Sequence, residues 1–405
     1  MKLCLLGFLA LTLAALPAFA EPVLERVLIL ERHGVRPPTK PPAAFAKYSA
    51  EPWPRWPVAP GELTPHGEEA MQAMAEGLRT RYGSLLPQQG CAPSVFVWAD
   101  NADQRTRRSG FVIARTLQTG CLLGQLWSAK ATPDPWFRGA CHIDEQAAAT
   151  EVATRLDAMM KADGDRYERA LAALNQILMP GCTGERCALV GETHVSASGK
   201  IEGPLSTAAT LSENLLLEYA QGMPDKDVGW GRAASPAKIA AVMPLHEMES
   251  DLTRATPLLA ARNASRLAQF IAEFLARREG EPEGLRKTRF ILLLGHDTNL
   301  SNIAGMLGIS WHLPDEPDST GPGTALAFEV WKEGARQTVR VVVLYQTLEQ
   351  LRSAASLGGE PKHVSVSVPG CSRRGCAPDA LAAHLTQAIP PACRSNQSLS
   401  LPGAR

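Results

Sequence analysis

The sequence lacks a second long apolar run. After the stretch Leu3 to Leu16 no segment is long and apolar enough to span a bilayer, so no membrane partner is expected. It also lacks an excess of charge of either sign: 41 Lys and Arg residues stand against 41 Asp and Glu. That balance argues against a general polyanion binder such as a nucleic-acid protein, and any affinity for a phosphorylated ligand must come from a local cluster of basic side chains. No Cys-x-x-Cys pair occurs, so the cysteine spacing gives no zinc signature. Repeats at solenoid spacing and low-complexity tracts are missing too.

What is present begins at the N-terminus. Met1-Lys2 precedes the apolar stretch, and Ala18-Phe19-Ala20 follows it as a small-x-small cleavage pattern, so residues 1–20 are expected to be a secretory signal peptide. Its removal takes Lys2 and no acid, which leaves a net charge near −1. The expected location is the periplasm or the outside of the cell. Of the nine cysteines, Cys4 falls in this leader. The remaining even set (Cys91, Cys121, Cys141, Cys182, Cys187, Cys371, Cys376 and Cys393) argues for disulfides in an exported chain, although spacing alone leaves about 105 pairings open.

Two segments carry the chemistry. Val27-Leu28-Ile29-Leu30 reads as a buried strand, and it runs straight into Arg32-His33-Gly34-Val35-Arg36-Pro37-Pro38-Thr39, a tight loop. Phe290-Ile291-Leu292-Leu293-Leu294-Gly295 is a second such strand, followed by His296-Asp297-Thr298-Asn299. In α/β sheets ligands bind beyond the carboxyl ends of strands, so both histidines are expected at a site mouth with arginines beside them. Guanidinium forks match phosphate or carboxylate oxygens and keep their charge. The expected ligand is an anion.

Arg-His-Gly-x-Arg-x-Pro-Thr at 32–39 together with Gly-His-Asp-Thr-Asn at 295–299 resembles the two signatures of the histidine acid phosphatases, the branch of the histidine phosphatase superfamily that includes bacterial phytases and glucose-1-phosphatases. Leu63-Thr64-Pro65-His66-Gly67, Asp103-Gln104-Arg105-Thr106-Arg107, Gln221-Gly222-Met223-Pro224, Gly229-Trp230-Gly231-Arg232 and Gln346-Thr347-Leu348 follow in family order, nearest the enterobacterial periplasmic phytases. The resemblance covers nearly the whole mature chain.

It implies a phosphomonoester hydrolase, an acid phosphatase with phytase activity, working through a phosphohistidine on His33. Such chemistry needs a nucleophile, donors that disperse charge on the phosphoryl oxygens, and an acid for the departing alkoxide. The implied donors are Arg32, Arg36, Arg105 and His296, and the implied proton donor is Asp297. This cluster takes the place of a metal, so no cofactor is expected. Thr39, Lys40, Glu213, His246, Arg254 and Thr298 are implied contacts for the rest of a small phosphorylated substrate. The implied disulfides are Cys91–Cys121, Cys141–Cys393, Cys182–Cys187 and Cys371–Cys376, in a chain expected to act as a monomer. A glucose-1-phosphatase or broad-specificity acid phosphatase is the alternative. From a different class, an inactive inositol-phosphate-binding protein is weighed against by the presence of both His33 and Asp297. Each assignment has a plainer rival: Arg105 as a solvated first-turn residue, Asp297 as a helix cap, Glu213 as a solvated or paired helix residue.

The expected fold class is α/β, with a central, mostly parallel sheet flanked by helices and a smaller, mostly helical domain inserted into it. Strand-like runs at Val27 to Leu30, Val95 to Trp98, Phe290 to Leu294, Ala325 to Val330 and Val339 to Tyr345 bracket helical periodicity at Ala147 to Met160, Arg166 to Ile177, Thr207 to Gln221 and Asn263 to Arg277. The expected division is therefore an α/β domain at 21–143 and 278–405, with the helical insertion at 144–277.

Overall fold

The structure is a computed structural model that describes residues 21–394 except 131, 140, 198, 278–285 and 373; the expected signal peptide lies outside the described residues. In chain order the elements are β1 (Val23–Arg32), α1 (Pro65–Tyr82), β2 (Val95–Ala99), α2 (Gln104–Leu117), α3 (Glu145–Leu178), β3 (His194–Val195), β4 (Ile201–Glu202), α4 (Pro204–Ala220), α5 (Pro236–Val242), α6 (Pro244–Thr253), α7 (Pro257–Ala276), β5 (Phe290–Gly295), α8 (Asp297–Leu307), β6 (Ala325–Glu333), β7 (Arg336–Tyr345), α9 (Leu348–Ser353), β8 (Lys362–Val366) and α10 (Pro378–Ala388).

Six strands form a mixed sheet in the order β2-β5-β1-β6-β7-β8. β2, β5 and β1 run parallel, and β6, β7 and β8 extend the sheet by antiparallel pairing. β1 and β5 are apolar on both faces because both faces are covered. Val27 and Ile29 pack with α1 and α2 on one side, whereas Leu28 and Leu30 pack with α7, α8 and α10 on the other. Truncating a fully buried strand residue such as Leu292 to alanine would cost about 2–5 kcal/mol.

Register positions the site. Arg32 lies opposite Gly295, and Ala99 of β2 lies opposite Leu294, so the three parallel strands end at one level. The next residues, His33, His296 and Asp100, therefore emerge side by side. β6 runs the other way, with Ala325 opposite Glu31, so the loop that leads into it arrives at the same edge.

A second core gathers α3, α4, α5, α6 and α9. α3 is one helix of 34 residues, kinked at Asp163 (φ −126°, ψ 17°), where periodicity predicted two helices. The predicted helical insertion includes α7, but from Ala260 onward the buried face of α7 packs in the sheet-side core. We propose that the helical division closes at about Thr256, where Pro257 starts α7. All four cysteine pairs are bridged as the resemblance implied, with Cys141–Cys393 spanning 252 residues.

Candidate active site

The loop after β1 is pressed against α1, and that closeness demands glycine at 34. A Cβ there would fall 2.6 Å from Met71 Cγ and 2.9 Å from the Gly67 carbonyl. The resulting turn buries His33, which is 2% exposed. Its Nδ1 lies 2.9 Å from the Gly34 carbonyl and must donate, since a carbonyl can only accept. Nε2 therefore carries the lone pair, and it accepts a hydrogen bond from Arg105 Nε at 3.0 Å. Burial, then the charges of Arg105, His296, Arg32 and Arg36, push the imidazole well below its ordinary pKa. His33 is neutral in a single tautomer.

Arginines surround it. Arg32 is fully buried; its Nη1 donates to Asp318 Oδ2 (3.1 Å) and the Thr320 carbonyl (2.6 Å), and its Nη2 to Glu213 Oε1 (2.5 Å). Arg36 Nη2 reaches both oxygens of the same Glu213 at 3.2 and 3.4 Å. The Nε atoms of Arg32 and Arg36 are buried without a protein partner. Unpaired buried donors are costly, and a phosphoryl group is the kind of ligand that would satisfy them. Arg105 is no solvated helix residue: Nη1 donates to the Gly61 carbonyl (3.2 Å) and Nη2 to Asp103 (3.1 Å), which aims its Nε at His33.

His296 stands edge-on to His33, ring centroids 5.4 Å apart at 78°. Its Nε2 donates to the fully buried Asp100 Oδ2 at 2.9 Å. Burial is the largest single influence on the Asp100 carboxyl and pushes it up, but the hydrogen bond and charge of His296, the Ala102 amide and the charge of Arg138 together outweigh it and leave the carboxyl below the usual range. Arg138 bridges Asp100 (3.2 Å) and Asp103 (2.6 Å).

Asp297 is the first residue of α8, and His296, not Asp297, occupies the N-cap position. One carboxylate oxygen still serves the helix start, since Asp297 Oδ1 accepts from the Thr298 amide at 2.8 Å. The other faces Arg254 Nη1 at 2.6 Å and Arg32 Nη2 at 3.9 Å. Burial pushes this carboxyl up, but Arg254 first, then Arg32 and His246, hold it well below the usual carboxylate range. Glu213, on α4, is buried rather than solvated and is likewise held low against its burial by Arg36, Arg32 and His246. His246 lies buried on α6 with Nε2 3.9 Å from Asp318 Oδ2.

Of the residues singled out from sequence, His33, Arg32, Arg36, Arg105, His296, Asp297, Glu213, His246 and Arg254 thus converge at one sheet edge. Thr298 adjoins them in the first turn of α8, and Thr39 and Lys40 are exposed on the outer end of the β1 loop. Asp100, Asp103, Arg138 and Asp318 were given no role from sequence. Asp100 follows β2 as His33 follows β1, so the strand-end rule could have found it. Arg138 and Asp318 lie in loops without periodicity. The donor sets Asp100/Asp103/His296 and Glu213/His246/Asp297 are each compact enough to ligate an ion, but guanidinium groups already occupy their carboxylates.

The histidine phosphatase superfamily (branch 2) matches residues 23–177 of this chain. The phytase AppA of Escherichia coli (strain K12) is 33% identical over 425 residues, which cover 96% of this chain and 98% of that protein. The chain belongs to the histidine phosphatase superfamily. It is a phosphoric monoester hydrolase of the histidine acid phosphatase and phytase branch. A glucose-1-phosphatase of Providencia rettgeri is 27% identical, over 90% of each chain. Among solved structures the Hafnia alvei phytase in complex with tartrate aligns with TM-score 0.84 and 34% identity, over 93% of this chain and all of that one, and its complex with myo-inositol hexakis sulphate aligns with TM-score 0.83. As a histidine phosphatase the chain has, among its described residues, no helix long and apolar enough to cross a membrane.

Proposed function

We propose that this protein is an exported acid phosphatase with phytase activity, hydrolysing inositol polyphosphates through a phosphohistidine on His33. The observation that carries this reading is the state of His33: neutral, with its Nε2 lone pair held by Arg105 among guanidinium groups whose buried Nε atoms await an anion. Nε2 attacks phosphorus, an N–P bond forms and the ester P–O bond breaks. The departing oxygen takes the proton of Asp297. Water then attacks phosphorus, the N–P bond breaks, the water proton returns to Asp297, and inorganic phosphate leaves. Arg32, Arg36, Arg105 and His296 disperse charge on the phosphoryl oxygens throughout.

The substrate assignment rests on the relatives: two phytases at 33% and 34% identity stand above the glucose-1-phosphatase at 27%. In this reading Lys40, Thr39 and Arg254 would supply cations and donors to further phosphates of a polyphosphorylated ring. Export is supported by the leader-like residues 1–20 and the four disulfides. The test is rapid alkaline quench with phosphorus-labelled inositol hexakisphosphate, because the N–P bond survives alkali and not acid. Label should be trapped on His33 and on no residue of the His33→Ala protein, and turnover of inositol hexakisphosphate should exceed that of glucose 1-phosphate. Label on another residue, or turnover retained by His33→Ala, would refute the mechanism; faster turnover of glucose 1-phosphate would refute the substrate.

A further inference from the structure

A proton donor should carry a proton when substrate arrives, yet Asp297 sits where a carboxylate is held ionised. Its Oδ2 is 2.6 Å from Arg254 and 3.9 Å from Arg32. The groups that face it from neighbouring elements are Arg32 (β1), Arg105 (α2), Glu213 (α4), His246 (α6) and Arg254, the cap residue between α6 and α7. Two of these are guanidiniums in close range, and they differ in freedom. Arg32 is fully buried and pinned by Asp318, Thr320 and Glu213. Arg254 has a side chain 21% exposed, and Asp297 is its one ion-pair partner among the described residues. Its other hydrogen bonds among the described residues are made by the backbone: the amide donates to the Ser250 carbonyl at 2.9 Å and the carbonyl accepts from Asn302 Nδ2 at 2.7 Å.

We propose that Arg254 is a substrate-released restraint on the proton donor: a second anionic group, on the carbon next to the scissile ester, draws Arg254 away from Asp297, which then takes a proton from solvent and can donate it. The inference rests on Asp297 being the acid. It assigns Arg254 a positioning role, acting through Asp297, beyond any grip on substrate. A polyol carrying neighbouring phosphates generates its own acid. A lone alkyl phosphate, with an equally poor leaving group, leaves the Arg254–Asp297 pair intact and is turned over with the acid suppressed. Selectivity for polyphosphorylated substrates then appears in kcat and in its pH profile as well as in KM.

The experiment follows kcat against pH for inositol hexakisphosphate, glycerol 2-phosphate and p-nitrophenyl phosphate with the wild-type enzyme, Arg254→Gln and Arg254→Lys. In the wild type the alkaline limb for inositol hexakisphosphate should lie above that for glycerol 2-phosphate by about 1 pH unit or more, the size expected for losing one adjacent cation. Arg254→Gln should raise the glycerol 2-phosphate limb to meet it and increase kcat on that substrate several-fold above pH 5, while KM for inositol hexakisphosphate rises. Arg254→Lys should restore the separation in part. Coincident limbs in the wild type, which needs no variant to fold, would overturn the proposal. So would a uniform fall in kcat on all three substrates in Arg254→Gln with the limbs unmoved. If Asp297→Asn slows alkyl and aryl substrates equally, the acid assignment itself is wrong; if it separates them and the limbs still coincide, this inference alone fails.

Discussion

Glu218 gives a prediction whose size can be worked out from the structure. It lies on α4, 1% exposed, beside an apolar cavity of about 260 Å³ lined in part by Phe45, Trp53 and Trp56. Its Oε2 accepts from the Gly229 amide at 2.9 Å, and among the described residues it makes no ion pair. Burial, with a smaller push from Asp227, raises the carboxyl from 4.5 to about 8 against the pull of that amide. The folded state therefore holds a proton that the unfolded chain releases between those two values, so stability is fully present below about pH 4.5 and is lost as pH rises toward 8. At 1.36 kcal/mol per unit the loss between pH 4 and pH 7 is of order 3 kcal/mol, and the full shift corresponds to at most about 5 kcal/mol. Glu218→Gln keeps an oxygen for Gly229 and removes the titration. The variant should melt at the wild-type temperature near pH 4, and should melt higher at pH 7 by roughly 4 °C for a chain of this length. Circular-dichroism melts at half-unit steps from pH 4 to pH 8 measure the difference. A gap between the two proteins that does not change with pH would show that Glu218 is ionised in the fold at neutral pH, and the reasoning would fail.

Asp297→Asn should cut turnover of inositol hexakisphosphate by about 10²–10⁴-fold, the usual cost of a lost general acid, and p-nitrophenyl phosphate far less, because its leaving group needs no proton; equal losses in steady-state assays would reassign the residue. If guanidinium groups carry the phosphoryl charge as proposed, EDTA should leave activity intact and vanadate should inhibit competitively, and activity lost to EDTA and restored by a divalent ion would contradict this. Replacing Cys141 and Cys393 by serine opens a 252-residue loop, worth up to about 5 kcal/mol by chain entropy, whereas the loop closed by Cys182 and Cys187 spans only 5 residues. The first double variant should therefore melt clearly below the second, and equal melting temperatures would refute the estimate.

How far the site could be read from sequence follows from where each residue sits in its element. His33 and His296 stand at the ends of runs so apolar that only central strands could accommodate them, so the strand-end rule placed both at a site mouth. That they face each other is a matter of register, Arg32 opposite Gly295, which no single segment contains. Arg105 needed the family motif, since helix periodicity alone leaves it a surface residue. Arg138 and Asp318 carried no signal: their partners, Asp100 and Arg32, lie 38 and 286 residues away, and the loops that hold them have no period to read. The same holds for the fold. β8 was missed because Lys362 to Val366 is an edge strand, exposed at Lys362, His363 and Ser365 and without a long apolar run. The sequence groups α7 with the helical insertion because a helix announces its own apolar stripe but not the surface it meets, which from Ala260 onward is the sheet-side core.

The carboxylates are what the sequence could least reveal, and they set the terms of binding. A buried guanidinium left unpaired costs several kcal/mol, so an anion site cannot be built from arginines alone. Glu213 and Asp318 neutralise Arg32, Glu213 also holds Arg36, Asp103 holds Arg105, and Asp297 holds Arg254. An incoming phosphate thus meets cations that are already stabilised by acids, and its affinity is the difference between two sets of charge pairs. That difference suits an enzyme that must release inorganic phosphate after every turnover. Among these acids the division of labour follows from exposure. Glu213 is clamped between two buried arginines, Arg32 and Arg36, so it should stay ionised. Asp297 is paired with Arg254, whose side chain is 21% exposed where that of Arg32 is fully buried, and a carboxylate whose counter-ion can leave is the one whose proton affinity a substrate is able to change.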